Sequence, residues 1–225
     1  MVAAAVTLNP ALQTNFANTF AVSSGGYVQG DALDDSAIRT LLRKGILDPT
    51  ATQVMFGGQA INERKAVGTG GPLGSNPPPA AGLGSILTPA ANINAGAAGS
   101  FTGFSVLNQA TAMIQTAQGR VPVALAGGAI NFYRSGSGAR IPVQAAQGAV
   151  AAWLASAQLV QSVYWDTVNL QVTNAAGANI IGPLPGVTLD SLPVVPDSRV
   201  VDMTAFLASG FANWKEGGYA VVLKI

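Results

Sequence analysis

The apolar positions of this chain change their period several times, and each change predicts an element. Ile38, Leu41 and Leu42 fall at helical spacing, Asp34, Asp35 and Ser36 precede them with oxygens suited to free helix amides, and Gly45 follows. Arg43-Lys44 sits where a helix dipole favours positive charge, and Asp35 and Arg39 stand four residues apart. This spacing predicts a small amphipathic helix laid over a sheet. Thr52 to Ile61 predicts a strand with a bulge or turn at Gly57-Gly58. Farther on, three apolar runs read as short strands punctuated by Gly and Pro: Phe104 to Leu107, then Val121, Val123 and Leu125, then Ile130 to Tyr133. Between Ala145 and Gln161 the period becomes helical again, with Ala146, Val150, Trp153, Leu154, Ala157 and Val160 on one face. Val168, Leu170 and Val172 then alternate with Thr167, Asn169 and Gln171, which predicts a strand with one buried face. Pro183, Pro185, Pro193 and Pro196 mark a loop. Val200 to Met203 and Tyr219 to Ile225 read as closing strands, the last apolar enough to run through a sheet centre.

The predicted fold is therefore mainly β, a barrel or a sandwich, with one or two short helices and α+β by count. Residues 1–30 read as an amino-terminal arm that ends in a short strand around Tyr27 to Gln29. Residues 31–225 read as a single domain with an extended loop at about residues 66–100. Within that loop Gly68 to Gly99 is dominated by Gly, Ala, Pro, Ser and Asn, with Pro77-Pro78-Pro79 in the middle. Such a stretch cannot build its own core and is too long for an ordinary connector. Either it is a flexible loop or it is extended and ordered by neighbouring subunits; Leu73, Leu83, Ile86, Leu87 and Ile93 give it apolar anchors, which favours the second.

Composition changes this picture in one respect. Of 225 residues 49% are hydrophobic and only 9% charged, against roughly 25% charged in an ordinary soluble domain. No charge occurs from Ala66 to Gly119. With a net charge of +1, little repels two approaching copies, and much of the surface is expected to become interface. The same balance gives no electrostatic footprint for nucleic acid. There is no cysteine and no histidine. That excludes disulfides, thiolate and imidazole metal sites and Ser-His-Asp or Cys-His catalysis, leaving carboxylate, Lys, Tyr or Ser-Lys chemistry. Met1 to Val6 has no basic region or long apolar core before Asn9-Pro10, so it does not read as a secretory signal and the mature protein is expected to start here. The charge-free stretch from Arg140 to Asp166 is broken by Gln147, Ser156, Gln158 and Gln161, short of the ~20 apolar residues of a membrane span.

Four stretches carry candidate chemistry. The glycines of Gly68 to Gly74 lack the spacing and the following Lys-Ser or Lys-Thr of a nucleotide loop. Arg134-Ser135-Gly136-Ser137-Gly138-Ala139-Arg140 places two arginines around a small-residue turn, which fits a hairpin with charged shoulders or an anion-binding nest that meets a neighbour's carboxylate. Trp165-Asp166, and Trp214 with Glu216, are the places where a glycan-cleaving carboxylate could stand beside an aromatic. Core tryptophans next to strand-end charges account for both. No residue is assigned a catalytic, cofactor-binding or metal-ligating role.

Several segments are similar, in order, to the structural cement proteins of tailed bacteriophages. They are Met55-Phe56-Gly57-Gly58-Gln59-Ala60-Ile61-Asn62-Glu63, Phe104-Ser105-Val106-Leu107-Asn108-Gln109-Ala110, Val121-Pro122-Val123, and Asn131-Phe132-Tyr133-Arg134 running into Gly136-Ser137-Gly138-Ala139-Arg140-Ile141. Val163-Tyr164-Trp165-Asp166-Thr167-Val168-Asn169 resembles a later Trp-Asp strand, and Gly210-Phe211-Ala212-Asn213-Trp214 to Ile225 a closing segment. The Gly68–Gly99 segment is longer, and Gln144 to Gln161 more helical, than that family's pattern. The resemblance implies a non-catalytic decoration protein without cofactor. It would sit on the outer capsid surface of the virion, with the major capsid protein and its own copies, as trimer or dimer, for partners, and with neither nucleic acid nor membrane. A shell or neck subunit and a host-surface or glycan-binding module are the alternatives.

Overall fold

The structure is a computed structural model and describes residues 26–33, 36–65, 85–90, 101–107, 121–156 and 161–225. The fold is mainly β. Five strands close a small barrel: β1 (Arg43–Leu47), β3 (Ala60–Lys65), β4 (Ser85–Pro89), β5 (Gly103–Val106) and β7 (Ala129–Arg134), in the order β1-β4-β3-β5-β7. Only β1 and β4 run parallel; the other neighbours are antiparallel. A two-stranded ribbon of β2 (Met55–Phe56) and β6 (Val123–Ala124) packs beside it.

Alternation along the strands explains how the barrel is filled. Leu47, Ile61, Leu87, Ile130 and Phe132 form one buried cluster with Met55 and Ala124 of the ribbon. Two residues further along the same strand faces come Gly45 of β1, Glu63 of β3, Ser85 of β4 and Arg134 of β7. One mouth of the barrel is therefore polar. Arg134 holds both carboxylate oxygens of Glu63 through Nε and Nη2, each at 2.6 Å, and the Ser85 hydroxyl donates to the same group. The barrel is a packed core and not a pore. Its β5 and β7 are buried on both faces, because Phe104, Val106 and Tyr133 belong to a second, larger core.

That larger core lies under the remaining sheets. β8 (Arg140–Gln144), β12 (Thr188–Ser191) and β15 (Ala220–Lys224) form one sheet with β15 in the centre, as its near-continuous apolar run predicts. β9 (Tyr164–Asp166), β10 (Gln171–Thr173) and β11 (Ile180–Ile181) form another, and β13 (Ser198–Val201) pairs with β14 (Trp214–Gly218). Phe104 stacks edge-on against Phe101 at 5.3 Å and against the fully buried Trp165 at 5.9 Å between ring centroids.

Several expectations from the sequence are corrected. The helix expected from Asp34 to Lys44 is one turn, α1 (Ser36–Arg39), with Asp34 and Asp35 outside the described residues. The Leu41 and Leu42 amides bond back three residues, to Ile38 and Arg39, which tightens and ends the turn. Arg43 and Lys44 are then taken by β1, leaving Leu41 and Leu42 exposed. Gly45 is a strand residue and not a helix stop: a Cβ there would lie 2.6 Å from Leu87, inside the barrel. The second helix, α2 (Gln147–Ala155), buries Ala149, Val150 and Trp153 but ends at Ser156, with Leu154 exposed and Ala157 and Val160 outside the described residues. The strand expected across Thr167 to Val172 is a hairpin between β9 and β10. Asp166 caps its turn by accepting from the Val168 and Asn169 amides. Leu170 reaches the core only by adopting φ +50, a strained value for so bulky a residue.

Two boundaries also move. Residues 26–30 are not part of a free arm but run through the body: Val28 bridges Arg199 of β13, and the Gly30 amide donates to Pro142 of β8. Ser85–Pro89, expected to need a neighbouring subunit, is a strand of the chain's own barrel, with Leu87 fully buried. The rest of the Gly/Ala/Pro stretch, residues 66–84 and 91–100, and the Gly68–Gly74 run lie outside the described residues. A third helix, α3 (Met203–Ser209), was not expected, although its signals were present. Met203, Phe206 and Leu207 have helical spacing, Asp202 caps the amides of Thr204 and Ala205, and Gly210 closes the helix at φ +73.

Candidate functional site

Three features of the described residues are available for binding. The first is apolar. On α3, Met203 and Phe206 are buried, and Phe206 meets Phe56 of the ribbon edge-on at 5.4 Å. This anchorage leaves Leu207 and Phe211 on the outside, 53% and 62% exposed. The segment after the helix is pinned, because the Val121 amide donates to the Ala212 carbonyl at 2.9 Å. Leu125, beyond β6, is also exposed, as are Val194 and Val195 in the loop before β13 and Leu41 and Leu42 before β1. Exposed apolar side chains thus occur in several separate segments, one of them α3 and the residues just after it.

The second feature is that part of the scarce charge is matched in pairs. Four ion pairs, Asp48–Arg64, Glu63–Arg134, Asp190–Arg140 and Glu216–Arg199, engage charges that are scarce already. Glu63 is held below its ordinary range by its hydrogen bonds from Arg134, against the upward push of burial. Asp48 is held low chiefly by the Thr50 amide and hydroxyl, with Arg64 adding to them. These carboxylates are structural anchors, each tied to a fixed partner.

The third feature is a cleft of about 420 Å³ where the start of α2, the β9–β10 turn, the start of α3 and β14 meet. Gln144, Gln147, Asn169 and Gln171 line it, with Lys215 and Tyr219 at the β14 side and the α3 cap Asp202 below. The Gln144 carboxamide oxygen is buried with no hydrogen-bond partner.

The candidate residues from the sequence are placed as follows. Arg134 to Arg140 is a turn that joins the barrel to the β8 sheet, and both arginines are engaged, Arg134 with Glu63 and Arg140 with Asp190 and the Leu33 carbonyl. The Gly138 amide donates to the Ile225 backbone oxygen, so the turn's donors face the protein and not an open nest. Trp165 is a core residue, and its neighbour Asp166 is occupied by turn capping. Trp214 lies under the Arg199 guanidinium at 5.8 Å, and Glu216 pairs with that same arginine. Among the described residues no group of three or more Asp or Glu side chains is placed to hold a metal ion, and no helix is long and apolar enough to cross a membrane. No family model, curated protein or solved structure matches this chain.

Proposed function

We propose that the protein is a capsid-stabilising decoration protein that binds the outside of a tailed-phage head and bridges its subunits, acting by association and not by catalysis. The observation that carries this reading is the pairing of a charge-poor chain, part of whose charge is matched in four ion pairs, with exposed apolar residues such as Leu207 and Phe211. Such a surface gains free energy by being covered, at about 25 cal/mol per Å² of apolar area removed from water. The ordered resemblance of the segments from Met55 to Ile225 supports the major capsid protein as the partner.

Stabilisation then follows from mass action. A protein that binds the assembled shell and not its free subunits makes shell dissociation costlier with every copy bound. Each contact need supply little, because contacts repeated around a closed lattice act together. Ser85–Pro89 is committed to the barrel and is not the element that reaches a neighbour.

The test is addition of the purified protein to heads assembled without it. Saturable binding to intact heads, with a higher temperature of head disruption and no binding to dissociated capsid subunits, supports the proposal. Equal binding to both forms, or no change in head stability at saturation, overturns it.

A further inference from the structure

We infer that the cleft at the start of α2 is a binding site for a neutral, hydroxyl-rich ligand, a glycan. This is independent of the capsid reading, which places no ligand in the cleft.

The lining determines the ligand class. Its charged groups are one carboxylate, Asp202, and one ammonium, Lys215, so the site carries no net field and does not favour a phosphate or a polyanion. Its volume of about 420 Å³ falls within the ~300–1,000 Å³ of small-molecule sites. The remaining polar groups are mostly carboxamides, each of which is donor and acceptor at once, like a sugar hydroxyl.

Most of those groups are also unengaged, Asn169 being the exception, whose Nδ2 donates to Asp166 Oδ2. Among the described residues, no hydrogen bond is made by the side chains of Gln144, Gln147 or Gln171, nor by the Tyr219 hydroxyl or the Lys215 ammonium. The Gln144 carboxamide stands out among them, since its oxygen is shielded from water and has no hydrogen-bond partner. Asp202 uses only Oδ1, for the Thr204 and Ala205 amides, which leaves Oδ2 to accept from a ligand. Helix α2 begins at Ala146 without a side-chain cap, so the Gln147 amide is a further donor at the cleft. Tyr219 adds the aromatic surface over which a sugar's C–H face packs.

Maltotriose, cellotriose and chitotriose should each be titrated by saturation-transfer difference NMR, beside inorganic phosphate and a capped Gly-Ser peptide. The expected result is saturable binding of at least one trisaccharide. The double variant Gln147→Ala/Gln171→Ala, altered at surface positions and checked for an unchanged melting temperature, should weaken it about tenfold, the equivalent of one or two hydrogen bonds. Lys215→Ala provides a second readout at the opposite wall and should also weaken it. Saturable binding of phosphate or the peptide alone, trisaccharide binding indifferent to these substitutions, or no saturable trisaccharide signal would each overturn the inference.

Discussion

Gln29 accepts the backbone N–H of Val201 through its Oε1 at 2.9 Å, while its Nε2 donates to the Gly57 carbonyl at 3.3 Å. The side chain is fully buried, and it joins the turn between β2 and β3 to strand β13, two parts of the fold that no sheet connects. Gly30, next in sequence, has φ +78, and a Cβ there would stand 2.3 Å from the Gly57 carbonyl carbon. Residues 26–33 therefore act as an internal strap. Gln29→Leu conserves volume but strands the Val201 amide and the Gly57 carbonyl, which should cost about 1–3 kcal/mol. Urea denaturation would show a lower midpoint with an unchanged slope; an unchanged midpoint would mean that the strap carries no stability.

Acid should weaken the barrel through its polar mouth. Glu63 has an ordinary value of 4.5 and Asp48 of 3.8, and both are depressed in the fold, Glu63 first by Arg134 and Asp48 first by Thr50. The unfolded chain then takes up protons more readily than the native one. The stabilisation is complete above pH 4.5 and is lost as pH falls through the depressed native values. Glu63→Gln should cost about 2 kcal/mol at neutral pH, where a charge-assisted pair is exchanged for a weaker bond. It should also flatten the acid limb of the stability curve, whereas a curve parallel to that of the wild type would exclude Glu63 as its source.

Leu87 tests whether the Gly/Ala/Pro stretch contains part of the core. Its side chain is fully buried among Leu47, Ile61 and Phe132. Leu87→Ala should destabilise the isolated chain by about 2–5 kcal/mol, as read by thermal or urea unfolding. A surface arm that only orders against another subunit would lose nothing in isolation. Removal of residues 68–84 alone should be milder than a deletion that includes Ser85–Pro89.

Local periodicity revealed some of the strands, because β5, β7 and β15 bury residues at positions that alternation or apolar runs mark directly, but it missed others, such as β12 inside the stretch marked as a loop by Pro183 to Pro196. It failed where pairing or capping overrode spacing. Leu41 and Leu42 fit a helical stripe, but β1 needs the residues that follow for its partners β4 and β7. Val168 and Leu170 fit a strand, but they lie in the turn that Asp166 caps between β9 and β10. Leu87 was visible as an apolar anchor, yet nothing near it in sequence announces a partner as distant as Gly45 or Glu63. The cleft was the least legible feature, since its carboxamides come from separate segments, at Gln144, Asn169 and Gln171, and meet Lys215 only after folding.

The exposed face of α3 gives the most direct test of association. Leu207 stands on α3, fixed by Phe206 and the Asp202 cap, and Phe211 lies just beyond the Gly210 cap, beside the Val121–Ala212 hydrogen bond. Charging them should disrupt binding and spare the fold: Leu207→Asp/Phe211→Asp should keep its melting temperature and lose attachment to heads. The wild-type interaction should also persist in concentrated salt, because at 1 M the screening length is about 3 Å and an apolar contact does not depend on long-range fields. Sedimentation of protein–head mixtures at low and high salt distinguishes the cases. Release at high salt, with the double variant still bound, would assign the attachment to exposed charges such as Arg43 and Lys44 and remove α3 from it.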